Sequence, residues 1–439
     1  MKRKCFYNAK QLVTPLGKGP VYGNAMNQLQ VIENGALLIC GDVIEAVGTT
    51  EQLFMEADLI GRQNYADEWI DVTGKIILPG FVDSHTHFIF AGDRSQEYLW
   101  RLEGQSYMDI HQKGGGIQRT VEATREANLE TLIDIGRKRL DSMLAFGVTT
   151  VEGKSGYGLD RDTELKQLQA MKQLNATHPI RVVSTFMGAH GIPKEYKGQQ
   201  GQTAGPLGGP EDYITFLTET MLPLVKEQGL ADICDIFCEQ NVFSVAQSRH
   251  ILQQAKALGY QLKLHGDEVV PLGGAGLAAE LQCLSAEHLL VASKDDLQKM
   301  QHAGTIATLL PITAFSLNEP YADGKYMIEQ GLAVALATDF NPGSSYSENI
   351  PLLIALATRQ MGLSIEATLT GLTLNGAAAL GISATTGSLE VGKQADIVIH
   401  DCPHVAHLAY HLAMNHVAAV YKAGECVYKR DARAIQSNP

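Results

Sequence analysis

The 439-residue chain is short of positive charge, paired cysteines and long apolar runs, and each shortage excludes a class of function. It carries 35 Lys and Arg against 48 Asp and Glu, for a formal net charge of −13. Nucleic acid and anionic membranes need clustered cations, so neither is expected as a partner. A small anion held by one or two arginines stays open. Seven cysteines (5, 40, 234, 238, 283, 402 and 426) form no CxxC pair, which leaves a redox motif, a zinc ribbon or a disulfide framework without support. Free thiols suit a reducing compartment, and a cytoplasmic location is expected. The basic start Met1–Lys4 runs into Tyr7, Asn8, Lys10 and Gln11 instead of an apolar stretch, so no signal peptide is expected. Nor does any segment approach the ~20 apolar residues of a membrane span.

What is present has two textures. Residues 1–75 and 388–439 read as short strands and turns; Ala36 to Gly48 is a hairpin pattern broken at Gly41-Asp42. One small β-sandwich domain built from both termini is expected. Between them, over 76–387, eight short apolar runs end in polar or glycine residues. They are Ile76–His87, Val148–Glu152, Ile180–His190, Ile233–Glu239, Gln261–Asp267, Cys283–His288, Ile306–Pro311 and Leu332–Asp339. Helical patterns such as Leu129 to Phe146, with apolar residues three and four apart, lie between them. Eight strand–helix units predict an α/β fold, a (β/α)8 barrel of the TIM type. No GxGxxG follows the first run, against a doubly wound nucleotide-binding fold. The Gly/Gln-rich stretch Gly198 to Pro210 reads as a flexible surface insertion.

The polar ends of the runs carry the chemistry. Asp83-Ser84-His85-Thr86-His87 closes the first, and residues two apart on a strand face the same side. Run five ends in His265-Gly266-Asp267-Glu268, run six in Glu287-His288, run eight in Asp339-Phe340-Asn341-Pro342-Gly343. A barrel's working face lies at its strand C-termini. His85, His87, His265, His288 and Asp339 are therefore expected around one rim, where imidazoles and a carboxylate suit zinc or iron. A lone histidine is ordinarily a satisfied core or surface residue; four at strand ends beside a carboxylate are not explained that way.

The segment ILPGFVDSHTH, the distal histidines and Asp339 resemble the amidohydrolase superfamily of metal-dependent barrel hydrolases. More narrowly, HFIFAGDR (His87 to Arg94), KGGGI (113–117), KSGYG (154–158), MGAH (187–190), HGDE (265–268) and TDFNPGS (338–344) resemble the imidazolonepropionases. The resemblance covers the chain except the 198–210 insertion; Ser84 and Gly266 depart from the pattern only among small residues. It implies His85, His87, His265 and Asp339 as ligands of one divalent metal, zinc or iron. Two-metal relatives carry a bridging lysine after strand four, and here run four ends Phe237-Cys238-Glu239. It further implies Arg94, Tyr157, His190, Glu268, Asn341, Gly343 and Ser344 as substrate contacts, with His288, Glu268 and Asp339 handling protons. The expected reaction is hydrolysis of the ring amide of a small molecule with a carboxylate tail, by hydroxide generated at the metal. A homodimer is implied as well. Arg94 can offer that tail a bidentate fork, and Tyr157 and His190 can donate hydrogen bonds to it.

Two rival readings remain. A nucleobase-type deaminase would use the same histidines, but a neutral base has no carboxylate for Arg94. A non-catalytic barrel would be expected to have lost ligands, and all four are present. His404, His407 and His411, spaced so that a helix would align them, sit in the terminal segment away from the rim and are set apart from the site.

Overall fold

The computed structural model describes residues 1–104, 115–197 and 204–430; Lys113 and Gly114 of the KGGGI motif and residues 198–203 of the insertion lie outside them. Five strands precede the barrel: β1 (Arg3–Thr14), β2 (Gln30–Cys40), β3 (Val43–Thr49), β4 (Glu68–Asp71) and β5 (Ile76–Pro79). The barrel strands are β6 (Phe81–Asp83), β7 (Val148–Lys154), β8 (Arg181–Ala189) and β9 (Ile233–Cys238), then β10 (Gln261–Gly266), β11 (Ser285–His288), β12 (Ile306–Leu309) and β13 (Val334–Leu336). Three more close the chain: β14 (Ile397–His400), β15 (Val417–Lys422) and β16 (Glu425–Lys429).

The terminal strands form one mixed sheet in the order β16–β15–β14–β5–β1–β2–β3, with β4 also paired to β1. Its two ends of chain are joined where β14 runs antiparallel to β5, Ile397 opposite Pro79 and His400 opposite Ile76. Phe6, Leu12, Leu37, Ile77, Ile397 and Ile399 fill one buried cluster of this sheet. The helix Thr50–Ile60 supplies Leu53 and Ala57 to another, with Cys5 and Leu38.

The first apolar run is thus divided, contrary to its reading as one barrel strand. Ile76–Pro79 belongs to the terminal sheet, and only Phe81–Asp83 pairs with β7. Gly80 is the crossing point. A Cβ there would stand 2.1 Å from Thr149 Oγ1, so only glycine lets the chain pass from one sheet to the other.

All seven ladders from β6 to β13 are parallel. Helices cover the strands outside. Leu129–Ala145 starts at Asn128, whose side chain accepts from Thr131 N–H, and buries Leu132, Ile133, Gly136, Leu140 and Met143 at three- and four-residue spacing. Val245–Ala257 starts with a Ser244–Gln247 capping box and buries Ile251, Leu252 and Ala255. Between β13 and β6 the barrel closes through the residues just beyond the strands. Asp339 N–H donates to His85 C=O, His87 N–H to Phe340 C=O, and Thr338 donates N–H and Oγ1–H to the Asp83 carboxylate. The seam therefore joins the segment of the first two candidate histidines to that of the candidate aspartate.

Candidate active site

Four strand ends place the five polar side chains. His85 and His87 follow β6, His265 lies in β10, His288 ends β11 and Asp339 follows β13; all five are buried. His288 (φ +71°) and Asp339 (φ +52°) adopt left-handed backbone, which a β-carbon resists, so packing holds both against local preference.

The donor atoms converge. Asp339 Oδ1 lies 3.3 Å from His85 Nε2 and 3.7 Å from His87 Nε2, and His87 Nε2 lies 3.4 Å from His265 Nε2. Four donors at ~2.1 Å from a common centre would stand about 3.4 Å apart along the edges of a tetrahedron. His85 Nε2 has no hydrogen-bond partner among the described residues despite being fully buried. Buried orphan nitrogens aimed at a carboxylate are what a cation site requires and a hydrogen-bonded core does not. The residues present fit a single divalent ion held by His85, His87, His265 and Asp339.

Beneath the imidazoles lies a charged layer that the motif reading did not reach. Lys154 Nζ is 2.5 Å from Asp235 Oδ2, 2.9 Å from Glu152 Oε2 and 3.0 Å from Glu287 Oε2. Lys263 Nζ is 2.7 Å from both Glu152 Oε2 and Glu287 Oε1, and also donates to Ser84 C=O. All five side chains are fully buried. Burial alone would lower the Lys154 pKa, but Asp235, Glu152 and Glu287 outweigh it and hold the ammonium charged. Lys154 is therefore an internal cation tied to carboxylates. Two of those carboxylates reach the candidate ligand imidazoles from behind: Glu287 Oε2 lies 2.5 Å from His85 Nδ1, and Asp235 Oδ2 3.0 Å from His265 Nδ1. A carboxylate behind the ring fixes which nitrogen faces the metal and raises its basicity. Thr313 Oγ1 orients the aspartate, donating to Asp339 Oδ2 at 2.7 Å. The signal was in the sequence, as charges inside otherwise apolar strands: Glu152 and Lys154 two apart in β7, Lys263 and His265 two apart in β10.

Protonation follows from these neighbours. Burial pushes the Asp339 carboxyl up, but His85, His288 and Thr313 outweigh it and hold it at about 2. Burial and surrounding imidazoles keep His87 and His265 far below the ordinary histidine value, so both rings are neutral. His288 Nδ1 stands 3.5 Å from Glu268 Oε1, and burial raises the Glu268 pKa, placing a protonatable carboxyl next to an imidazole at the rim.

The expected substrate contacts gather on the same side. Arg94 donates Nε–H and Nη2–H to Glu97 Oε2, which orients its guanidinium. A Cβ on Gly343 would meet Arg94 Nη1 at 2.5 Å, so the cation lies flat against this glycine. Asn341 is occupied within its own turn: Nδ2 donates to Asp339 C=O, and Oδ1 accepts from the N–H groups of Gly343 and Ser344. It shapes the NPGS turn. Tyr157 is buried beside the His87–His190 pair, its ring 5.8 Å and 5.1 Å from theirs. His190 stacks on His87 at 4.8 Å, and its Nδ1 faces Gly156 C=O at 3.1 Å. That carbonyl requires the proton on Nδ1. Since burial lowers the His190 pKa to about 4, Nε2 is an acceptor near neutrality and not the donor expected.

Comparison with known proteins identifies the family. The sequence description of the amidohydrolase family matches residues 111–428. The chain is 50% identical over 424 residues to the imidazolonepropionase of Clostridium tetani, covering 96% of this chain and 97% of that one. It is 52% identical over 422 residues to the imidazolonepropionase of Bacteroides thetaiotaomicron, covering 95% and 97%. In three dimensions it is similar to 5-methylcytosine deaminase from Klebsiella pneumoniae (TM-score 0.70, 16% identity, 98% of each chain) and to E. coli guanine deaminase (TM-score 0.67, 15% identity, 98% and 100%). At those identities the deaminases share the fold alone. The chain belongs to the amidohydrolase family and, within it, to the imidazolonepropionases.

Proposed function

We propose that this site opens the ring of 4-imidazolone-5-propanoate by hydrolysing its amide C–N bond, releasing N-formimidoyl-L-glutamate. Water adds to the ring carbonyl carbon, the bond from that carbon to the ring nitrogen breaks, and the nitrogen takes up the proton. A divalent ion bound by His85, His87, His265 and Asp339 supplies Lewis acidity and lowers the pKa of water towards neutrality. Three imidazoles and one carboxylate suit zinc and iron alike.

The chain's own residues do the rest. Arg94, already aligned by Glu97 and Gly343, pairs with the propanoate carboxylate. His190 Nε2 accepts a ring N–H, while Tyr157 bounds the ring pocket beside it. The NPGS turn, locked by the Asn341 side chain accepting from the Gly343 and Ser344 N–H groups, shapes the wall beside the amide edge. Asp339 and His288 take the proton from the attacking water, and Glu268 carries one to the departing nitrogen.

The convergence of Asp339 Oδ1 on the Nε2 atoms of His85 and His87, beside a pre-aligned Arg94, supports this reading most directly. Purified protein is expected to consume imidazolone propanoate and yield formimidoylglutamate by mass spectrometry, to lose this on chelation and to regain it with Zn2+ or Fe2+. Ammonia release from a nucleobase, with imidazolone untouched, would contradict it. The described cysteines are free, and among the described residues no helix is long and apolar enough to cross a membrane, in keeping with work in the cytoplasm. A homodimer, as the family resemblance implies, is tested by light scattering of the purified protein.

A further inference from the structure

The histidines of the segment joining β14 to β15 come together far from the barrel mouth. His407 opens the short helix His407–Tyr410 and His411 follows it. The chain then turns back through Ala413 (φ +59°) to set His416 just before β15. One ring nitrogen from each of His407, His411 and His416 lies within 4.8 Å of the other two. His411 Nδ1 and His416 Nε2 are 3.1 Å apart, and the ring centroids of the three pairs are 4.9, 5.0 and 5.6 Å apart. Nothing in the hydrolytic site uses this cluster. His416 shares a small cavity with Phe81 and Phe146, which stand at the N-terminal ends of the first two barrel strands, the end opposite the metal ligands. Asn415 fastens the same loop there by donating Nδ2–H to Ala145 C=O.

We propose that His407, His411 and His416 form a second divalent-cation site, for a borderline first-row ion such as Zn2+, that clamps the β14–β15 loop at the barrel floor. Three imidazoles from the one β14–β15 connection make a chelate of the open kind, with a fourth position for water. Because the cluster is remote from the rim, the bound ion changes stability and leaves turnover alone.

The test is equilibrium dialysis of the full chain against Zn2+, with bound metal counted by mass spectrometry. The wild type is expected to hold two equivalents, and the double variant His407→Ala/His411→Ala one, with kcat unchanged and a melting temperature that no longer rises with the second equivalent. Asp339→Asn is expected to lose the other equivalent and keep this one, so the two centres are told apart. His411→Asn alone, at an exposed position, is expected to act as the double variant does. A wild type that binds only one equivalent, or variants that still bind two, would overturn the proposal.

Discussion

Removing one methylene-borne charge from the barrel interior tests whether the buried layer positions the ligands. In Lys154→Met the ammonium is replaced by an apolar chain of similar length. Before the change, Lys154 and Lys263 offset Asp235, Glu152 and Glu287, a sum of −1; afterwards Lys263 alone faces three buried carboxylates, a sum of −2. Deleting one partner of a fully buried ion pair costs about 3–5 kcal/mol, because the other charges are left uncompensated. The damage spreads to the metal. Asp235 and Glu287, which Lys154 holds, are the groups standing behind His265 and His85, and loss of such outer partners weakens metal binding roughly 10–100-fold. Competition with a fluorescent chelator reads the affinity and urea denaturation of the metal-free protein reads the stability, so the two effects separate. A Lys154→Met protein with wild-type metal affinity and an unchanged denaturation midpoint would refute this view of the layer.

Gly343→Ala places a methyl against the flexible end of Arg94, so the fold is expected to survive while the guanidinium shifts; losing one charge-assisted bond of about 1.5–3 kcal/mol raises KM roughly 10-fold or more with kcat nearly kept, as steady-state kinetics will show. His288→Gln removes a proton carrier at the rim and is expected to lower kcat about 10²–10⁴-fold without displacing the metal, measured by turnover and bound-metal counts on one sample. His400, buried in β14 with neither ring nitrogen hydrogen-bonded among the described residues, has its pKa lowered to about 3 by burial and the nearby His416 and Arg430. A depressed histidine favours the neutral folded state, so its contribution is whole above the unfolded pKa near 6.5 and falls as pH drops towards 3. By pH 5 the loss is about 2 kcal/mol, which His400→Leu is expected to abolish in paired denaturation curves at pH 7 and pH 5.

Much of the architecture was legible because burial on both faces leaves barrel strands as short apolar runs, and eight such runs correspond to β6–β13. His85, His87, His265, His288 and Asp339 were readable for a related reason: polar residues at the ends of apolar strands mark the mouth. The break in the first run was not, because Ile76–Pro79 and Phe81–Asp83 are equally apolar and the exchange of sheets at Gly80 depends on Thr149, far along the chain. Lys154, Lys263, Glu152, Glu287 and Asp235 were visible as charges in strands, yet which lysine meets which carboxylate depends on the stagger of neighbouring strands, a three-dimensional quantity. The tautomer of His190 is likewise set by Gly156 C=O, a backbone atom that no side-chain pattern announces.

Anomalous diffraction from crystals of active enzyme, at the zinc and iron edges, bears most directly on the metal centre. It is expected to show a peak at the strand C-termini, with Nε2 of His85, His87 and His265 and a carboxylate oxygen of Asp339 each at about 2.1 Å. An active crystal with no metal between those four side chains would contradict the account.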